Sequence, residues 1–410
     1  MRPRAGNARH GRRMLQAPPP DAAATRRVIL VLGVAGFAST FGFRLIDPLI
    51  PDIAHDYGVS LATAATLATS YALTYAFAQP ILGPVGDVIG KARLIRIGTA
   101  LLAVALVATA FAPDFGVLSV VRALSGVAAG AIIPLAMAII GDRVPIEGRQ
   151  IAIGRFLFAI LAAQLTGTIG AGLLATSLGW RGVMLVAAAV AAAAFGATVL
   201  GLKPRPVADR PPFALGSIVE RYREVLANGR ALPLCIIVAA EGVLAMGPQP
   251  FVAAILRERS AVGALEAGFV IGGIGVGGLL YTLSVGALLR RLGTRRMVVM
   301  GGAAAGAALF AFGLGAPWQA DVAAFVVLGF GFMMLHNTLQ TIATELAPDA
   351  RGSAIALFAF SFFVGQGFGP LGFGALLHAL GTAAALTLFA IGLFVLGFAT
   401  RAVLLDPRRF

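Results

Sequence analysis

Cysteine is almost absent from this chain of 410 residues: Cys235 stands alone, so no intrachain disulfide can form. Charge is scarce as well, at 12% of residues, whereas a soluble domain carries about 25%. Water is therefore not this chain's main solvent. The four histidines (His10, His55, His336 and His378) are scattered, and no metal-ligand spacing or nucleophile constellation appears. No metal, cofactor or enzymatic activity is expected. A phosphate-binding loop is also missing, because Gly83 to Arg93, GPVGDVIGKAR, fails Gly-x-x-x-x-Gly-Lys-Ser/Thr. Val85 stands where the first Gly would be, and Ala92 follows Lys91. Alternating strand patterns are lacking too, which excludes a barrel in favour of helices.

Apolar surface is what the chain has in excess. Hydrophobic residues make up 59% of it, and its mean hydropathy is +0.90. A spanning helix needs roughly 20 apolar residues. Six such runs are read at 28–51, 60–82, 94–112, 115–140, 151–176 and 182–202, and six more at 231–254, 265–289, 297–316, 322–346, 352–377 and 383–403. An all-α membrane protein of twelve transmembrane helices is expected. Residues 27–202 and 231–403 form two six-helix bundles, joined by a proline-bearing polar loop at 203–230. Residues 1–26 read as a disordered basic tail with no signal peptide, and 404–410 as a short second tail. Met14 is an alternative start that leaves the membrane part untouched.

The formal charge of +14 would suggest nucleic acid in a soluble protein. Its placement argues otherwise. Of the 32 Lys and Arg, three fall in external loops (Arg181, Arg257, Arg259) and three within spans (Arg44, Arg122, Arg155). The remaining 26 lie on one side, which by the positive-inside rule puts both termini in the cytoplasm of an inner or plasma membrane.

The chain is also built twice over. At an offset of 202 residues, Gln164, Gly167, Gly170 and Gly172 map onto Gln366, Gly369, Gly372 and Gly374, Arg149 onto Arg351, and Pro48 onto Pro250. The break GPVGDVIGKAR has a partner, GALLRRLGTRR from Gly286 to Arg296, at an offset of 203. Both carry Gly at the first and eighth positions and Arg at the eleventh (Gly83, Gly90, Arg93; Gly286, Gly293, Arg296).

Every third helix of the twelve is nearly featureless, while Arg44, Asp47, Arg122, Arg155, Glu241, His336, Asn337 and Gln340 sit in the others. A charge at the bilayer centre costs at least about 2.5–3.5 kcal/mol, so these groups must face a partner or a wet cavity. At about 1.5 Å per residue, Glu241 and His336 fall near the midplane, and Arg44, Asp47 and Arg122 in the outer third.

With these residues in view, GPVGDVIGKAR resembles the loop signature between the second and third helices of the major facilitator superfamily. RALSGVAAGAIIP from Arg122 resembles its helix-four motif. The resemblance covers nearly the whole chain and implies the major facilitator fold, alternating access between two rocking bundles, and no cofactor. It assigns Gly83, Asp87, Gly90 and Arg93 to a cytoplasmic gate, with Lys91, Gly286, Arg290, Gly293 and Arg296 beside them, and links Arg122 to proton coupling. Two departures stand out: Val88 replaces a usual basic residue, and Thr168 stands where antiporter-type exporters carry Pro.

Each candidate has a functional and a structural reading. Glu241 at the midplane can load and release a proton as water access alternates, or can be a permanently protonated acid bonded to a neighbouring helix. His336 can pass a proton or serve as a structural donor, and Asn337 and Gln340 can line the cavity. Arg44 and Asp47, at i and i+3, can pair on one helix; alternatively Asp47 pairs with Arg122 in a bridge that a proton breaks. Tyr71, Tyr75 and Gln79 form a stripe able to bind an organic substrate or to pack helices. Gly167, Gly170, Gly369 and Pro370 read as helix-packing positions. The expected protein is a monomeric, proton-coupled exporter of small organic compounds, its partners being protons, a small-molecule substrate and the bilayer, with no nucleic acid. A proton symporter or facilitator for uptake, and a non-transporting membrane sensor, are the alternatives.

Overall fold

Two stretches of backbone, about 200 residues apart, break in the same way. In the computed structural model, which describes residues 22–144, 146–202, 215–347 and 350–405, α1 (Ala22–Arg44) gives way to a 3-10 turn at Asp47–Leu49 and resumes as α2 (Ile50–Tyr57). In the second half α9 (Ala231–Met246) gives way at Gln249–Phe251 and resumes as α10 (Val252–Ser260). Pro48 and Pro250 sit inside these turns, where a residue without an N–H removes a helical hydrogen bond and favours a break. Further along, Gly90 and Gly293, and then Gly179 and Gly381, adopt positive φ with extended ψ at matching places. Only glycine enters that region at no steric cost, so the repeat seen in sequence is one of backbone conformation.

The remaining elements are α3 (Leu61–Ile89), α4 (Lys91–Ala110), α5 (Phe115–Gly130), α6 (Ile132–Arg143), α7 (Ile146–Gly201), α8 (Leu215–Ala227), α11 (Ala264–Gly313), α12 (Trp318–Glu345), α13 (Arg351–Leu380) and α14 (Thr382–Leu404). Nine of the described helices are long and apolar enough to cross a membrane. Gly179 divides α7 and Gly293 divides α11, which adds two passages, and the 29-residue α3 adds one more, giving twelve. Helix α3 falls short in apolarity because it carries Thr63, Thr66, Thr69, Ser70, Tyr71, Thr74, Tyr75 and Gln79. It spends that polarity at the junction of the halves, packing along α13.

One buried cluster draws on residues from Ile29 to Leu202 and a second on Val225 to Leu404, with Ala65 of α3 joining the second. The outer ring follows from the featureless helices: Leu101, Val104 and Val107 of α4, and Ile391, Phe394, Val395 and Phe398 of α14, all present bare apolar side chains. Such a surface is stable only in hydrocarbon. The expected tails at 1–21 and 406–410, and loop residues 203–214, lie outside the described residues.

The halves meet along two seams, α3 on α13 and α7 on α11. Glycine sets how closely they approach. A Cβ on Gly268 of α11 would come within 2.6 Å of the Thr168 carbonyl oxygen, and one on Gly275 within 2.6 Å of Leu165. Two polar links cross at the end away from the termini: Arg257 to Asp52 at 2.7 Å and Arg44 to Gln249 at 3.1 Å.

Not every repeated glycine serves packing. Gly167 lies 3.3 Å (from a built Cβ) from Arg44 and Gly369 2.8 Å from Gly247, but nothing lies within 4 Å of Gly170, which corrects its reading as a packing position. A Cβ on Gly365 of α13 would overlap the carbonyl oxygen of Ala239. Gly365→Ala should therefore lower stability by at least about 1–3 kcal/mol, the usual cost of overpacking, while Gly170→Ala leaves it unchanged or higher. Thermal unfolding of both variants in one detergent checks the contrast.

Candidate functional site

The site around Glu241 is assembled by a seam of small residues. Gly242 of α9 and Gly247, which caps it, face α13 so closely that a Cβ on either would meet backbone: Phe362 O at Gly242, and Gly369 O at 2.8 Å from Gly247. Close approach of helices through glycine is a common device within membranes. It leaves Glu241, the neighbour of Gly242, directed toward α12, where His336 sits one turn beyond Phe332. The His336 Nδ1 lies 2.9 Å from Glu241 Oε2. One proton joins them, carried by the ring nitrogen or by the carboxyl.

Aromatic rings wall this pair. Phe332, Phe358 and Phe362 enclose the imidazole, with ring centroids 4.9, 5.1 and 4.8 Å away. The Glu241 side chain is 0% exposed against 17% for His336, so the imidazole is the more accessible member of the pair. The second carboxyl oxygen, Oε1, is buried without a hydrogen-bond partner. Beside the pair, Asn337 Nδ2 donates to Tyr281 Oη at 2.9 Å, and Gln340, one turn on, is exposed.

Nearer the end away from the termini, the arginines choose partners that sequence spacing did not suggest. Arg44 and Asp47 do not share a helix, because α1 ends at Arg44 and Asp47 opens the 3-10 turn. Arg44 instead donates to Gln249 Oε1, and its guanidinium lies 4.9 Å from the Phe43 ring centroid. Arg122 is fully buried; its Nη1 donates to Gly42 O at 3.2 Å, and its guanidinium sits 4.6 Å over the Tyr71 ring. Its Nε and Nη2 have no hydrogen-bond partner. Asp47, itself buried, is within 4.0 Å of neither guanidinium among the described ion pairs, so both expected bridges give way to neutral partners.

Tyr71 and Tyr75 are buried in a ring stack. Phe43 lies 4.6 Å from Tyr71, and Phe363 of α13 lies 4.4 Å from Tyr75, so the stack crosses from one half to the other. Gln79 is buried one turn on. Pro370 borders a small cavity shared with Arg44, Asp47, Gln249 and Gln366, whose Oε1 is likewise unpartnered.

At the end that carries the termini, Lys91 bridges two acids: Asp142 of α6 at 2.7 Å and Asp87 at 3.4 Å. Gly90 turns the chain between α3 and α4, Gly83 has open space around it, and Arg93 is exposed. In the second loop Gly286, Arg290 and Arg296 are exposed about the Gly293 turn.

Several of these partners escaped the sequence reading. Phe332, Phe358 and Phe362 look like ordinary apolar residues. Asp321, an acid in the first turn of α12, is buried against Arg259. Gln249 had a signal, since it takes the place of Asp47 in the repeat; Asp142 had none.

Comparison with known proteins agrees with this architecture. The family model described as Major Facilitator Superfamily matches residues 32–370 and 250–409. The uncharacterized MFS-type transporter YybF of Bacillus subtilis is 22% identical over 94% of this chain and 96% of its own length. The multidrug export protein EmrB of Haemophilus influenzae is 27% identical over 41% of this chain, and the chain matches 33% of that relative's length. The nucleoside transporter NupG is similar in structure, with a TM-score of 0.75 at 19% identity over 92% of this chain and all of that one.

Removing one member of a buried hydrogen-bonded pair strands the other. His336→Ala and Glu241→Gln should each destabilise the protein, and the double variant should cost less than their sum by about 1–3 kcal/mol. A double-mutant cycle of thermal unfolding measures that coupling.

Proposed function

Because this chain belongs to the Major Facilitator Superfamily, whose members are carriers and not enzymes, we propose that this transporter is a proton-coupled exporter of small organic compounds. The single observation that carries the reading is the contact between Glu241 and His336. A carboxyl and an imidazole held at hydrogen-bond distance inside hydrocarbon have little structural use, since apolar residues of the same volume would fill the site at no desolvation cost. They can, however, hold one proton or two. Exchange of the extra proton with water on alternate sides gives the carrier a driving force that needs no nucleotide.

Alternating access supplies the path. The halves are linked by Arg44 to Gln249 and Arg257 to Asp52 at the end away from the termini. For access from that side these contacts break, and those near Asp87, Lys91 and Asp142 rearrange. An added proton either makes the imidazole cationic beside the carboxylate, which tightens the tie between α9 and α12, or neutralises the carboxyl, which loosens it, and either change biases the halves toward one arrangement. Arg122 and Asp47 act as a second charged level beside the outer closure. Export rather than uptake is supported by a relative named a multidrug export protein. The placement of the Lys and Arg residues supports an inner-membrane location with both termini in the cytoplasm. The carrier works as a monomer, each chain having both halves.

The test begins with a substrate found by resistance screening in an efflux-deficient host. Purified protein in proteoliposomes with an internal pH dye should then show proton movement opposite to that substrate. Glu241→Gln should abolish proton movement and concentrative transport while substrate binding persists. Proton movement of unchanged size in Glu241→Gln would remove this residue from the mechanism.

A further inference from the structure

One charged residue within a candidate span is used by nothing described so far. Arg155 lies in α7, in the span Ile151–Gly201, and is exposed. Among the described residues neither Arg155 nor Arg26 has a hydrogen-bond or ion-pair partner. An arginine within a span is costly unless an anion or water meets it. Both guanidinium groups border one cleft of about 810 Å3, formed between α1 and α7.

The lining of that cleft has a plain chemical order. From α1 it takes Arg26, then Leu30, Val34 and Phe37 at helical spacing; from α7 it takes Arg155 and then Phe158. The two helices run parallel and touch where Gly33 faces Ala159, a built Cβ at 3.5 Å. At about 1.5 Å per residue, Arg26 lies about 10 Å below that level and Arg155 about 6 Å below, while Phe37 lies about 6 Å above. Both positive charges therefore stand at the mouth nearer the termini, with an apolar wall beyond them. Among the described residues no acid and no polar acceptor lines the cleft.

We propose that the cleft between α1 and α7 is a binding site for an amphipathic anion, its head on Arg155 and Arg26 and its unbranched apolar tail along Leu30, Val34, Phe37 and Phe158. A cation of the same shape would meet two like charges, and a neutral polar compound would find donors only at the mouth. A bidentate guanidinium contact suits a carboxylate or phosphate equally. The shared chemistry therefore comes from a free long-chain acid or from the head of an anionic phospholipid. The site lies wholly in the first half and does not depend on proton coupling at Glu241 and His336.

The experiment uses the full-length protein in nanodiscs of neutral phosphatidylcholine. Laurate and dodecyltrimethylammonium, alike in tail and opposite in head, are titrated against tryptophan fluorescence or by calorimetry. Laurate should bind saturably and the cation should not. Arg155→Gln should weaken laurate by at least about tenfold, the loss expected for one charge-assisted contact, and Arg155→Lys should restore part of it. Gly154 lines the cleft with open space around it, so Gly154→Leu should block binding without disturbing the fold. If laurate fails but nanodiscs containing phosphatidylglycerol raise the unfolding temperature of the parent and not of Arg155→Gln or Gly154→Leu, the anion is the lipid head. Equal binding of both amphiphiles, or binding and stabilisation by either anion that both variants retain, overturns the proposal.

Discussion

A carboxyl and an imidazole 2.9 Å apart, walled by phenylalanine rings, are the constraint around which the packing of α9, α12 and α13 is arranged. Desolvating two ionisable groups is not repaid by their attraction alone. Their position has to be enforced. Glycine at 242, 247, 365 and 369 brings α9 and α13 into backbone contact, which leaves Glu241 no direction but toward α12. Bulkier residues along that seam would separate the helices and admit water or lipid. Oε1 of Glu241, Nε and Nη2 of Arg122 and Oε1 of Gln366 are buried with no protein hydrogen-bond partner among the described residues.

The two halves share a backbone and differ in chemistry. Their turns coincide: Asp47–Leu49 with Gln249–Phe251, Gly58 with Ala261, Gly90 with Gly293, Gly179 with Gly381. At the first of these the side chains diverge, Asp47 against Gln249 and Arg44 against Met246. Arg44 reaches across to its own counterpart and to that of Asp47, approaching Met246 Sδ at 3.9 Å and donating to Gln249. A charge on one side and neutral acceptors on the other give a link that holds in low dielectric yet does not lock, as a fully buried ion pair would. The midplane pair belongs to the second half alone, and the unpartnered arginines of the α1–α7 cleft to the first.

Much of the fold was legible in the sequence, because a bilayer dictates span length and gives each polar residue inside a span a reason to be there. Twelve passages, the 202-residue repeat and the joint depth of Glu241 and His336 all came from that constraint. What stayed hidden was the choice of partner. Spacing alone put Arg44 with Asp47, but a proline-bearing turn parts them and a glutamine from the other half intervenes. Gly170 looked like Gly167 in the repeat, yet it faces open space, since only the packed neighbour tells one glycine from another. The rings around His336 could not be singled out among 27 phenylalanines. Residue type and depth are written in a single chain, whereas rotation about the helix axis is settled by packing.

In the proposed mechanism the two halves move about this buried pair, opening one end as the other closes. Spin labels at Ser60 and Ser260 report on the end away from the termini, and labels at Arg93 and Arg290 on the other. Pulsed electron resonance distances, taken before and after acidification in nanodiscs, test the motion directly. Alternating access expects the two distances to change in opposite senses, with Glu241→Gln no longer responding to acid. Distances that stay fixed, or that lengthen together, would contradict it.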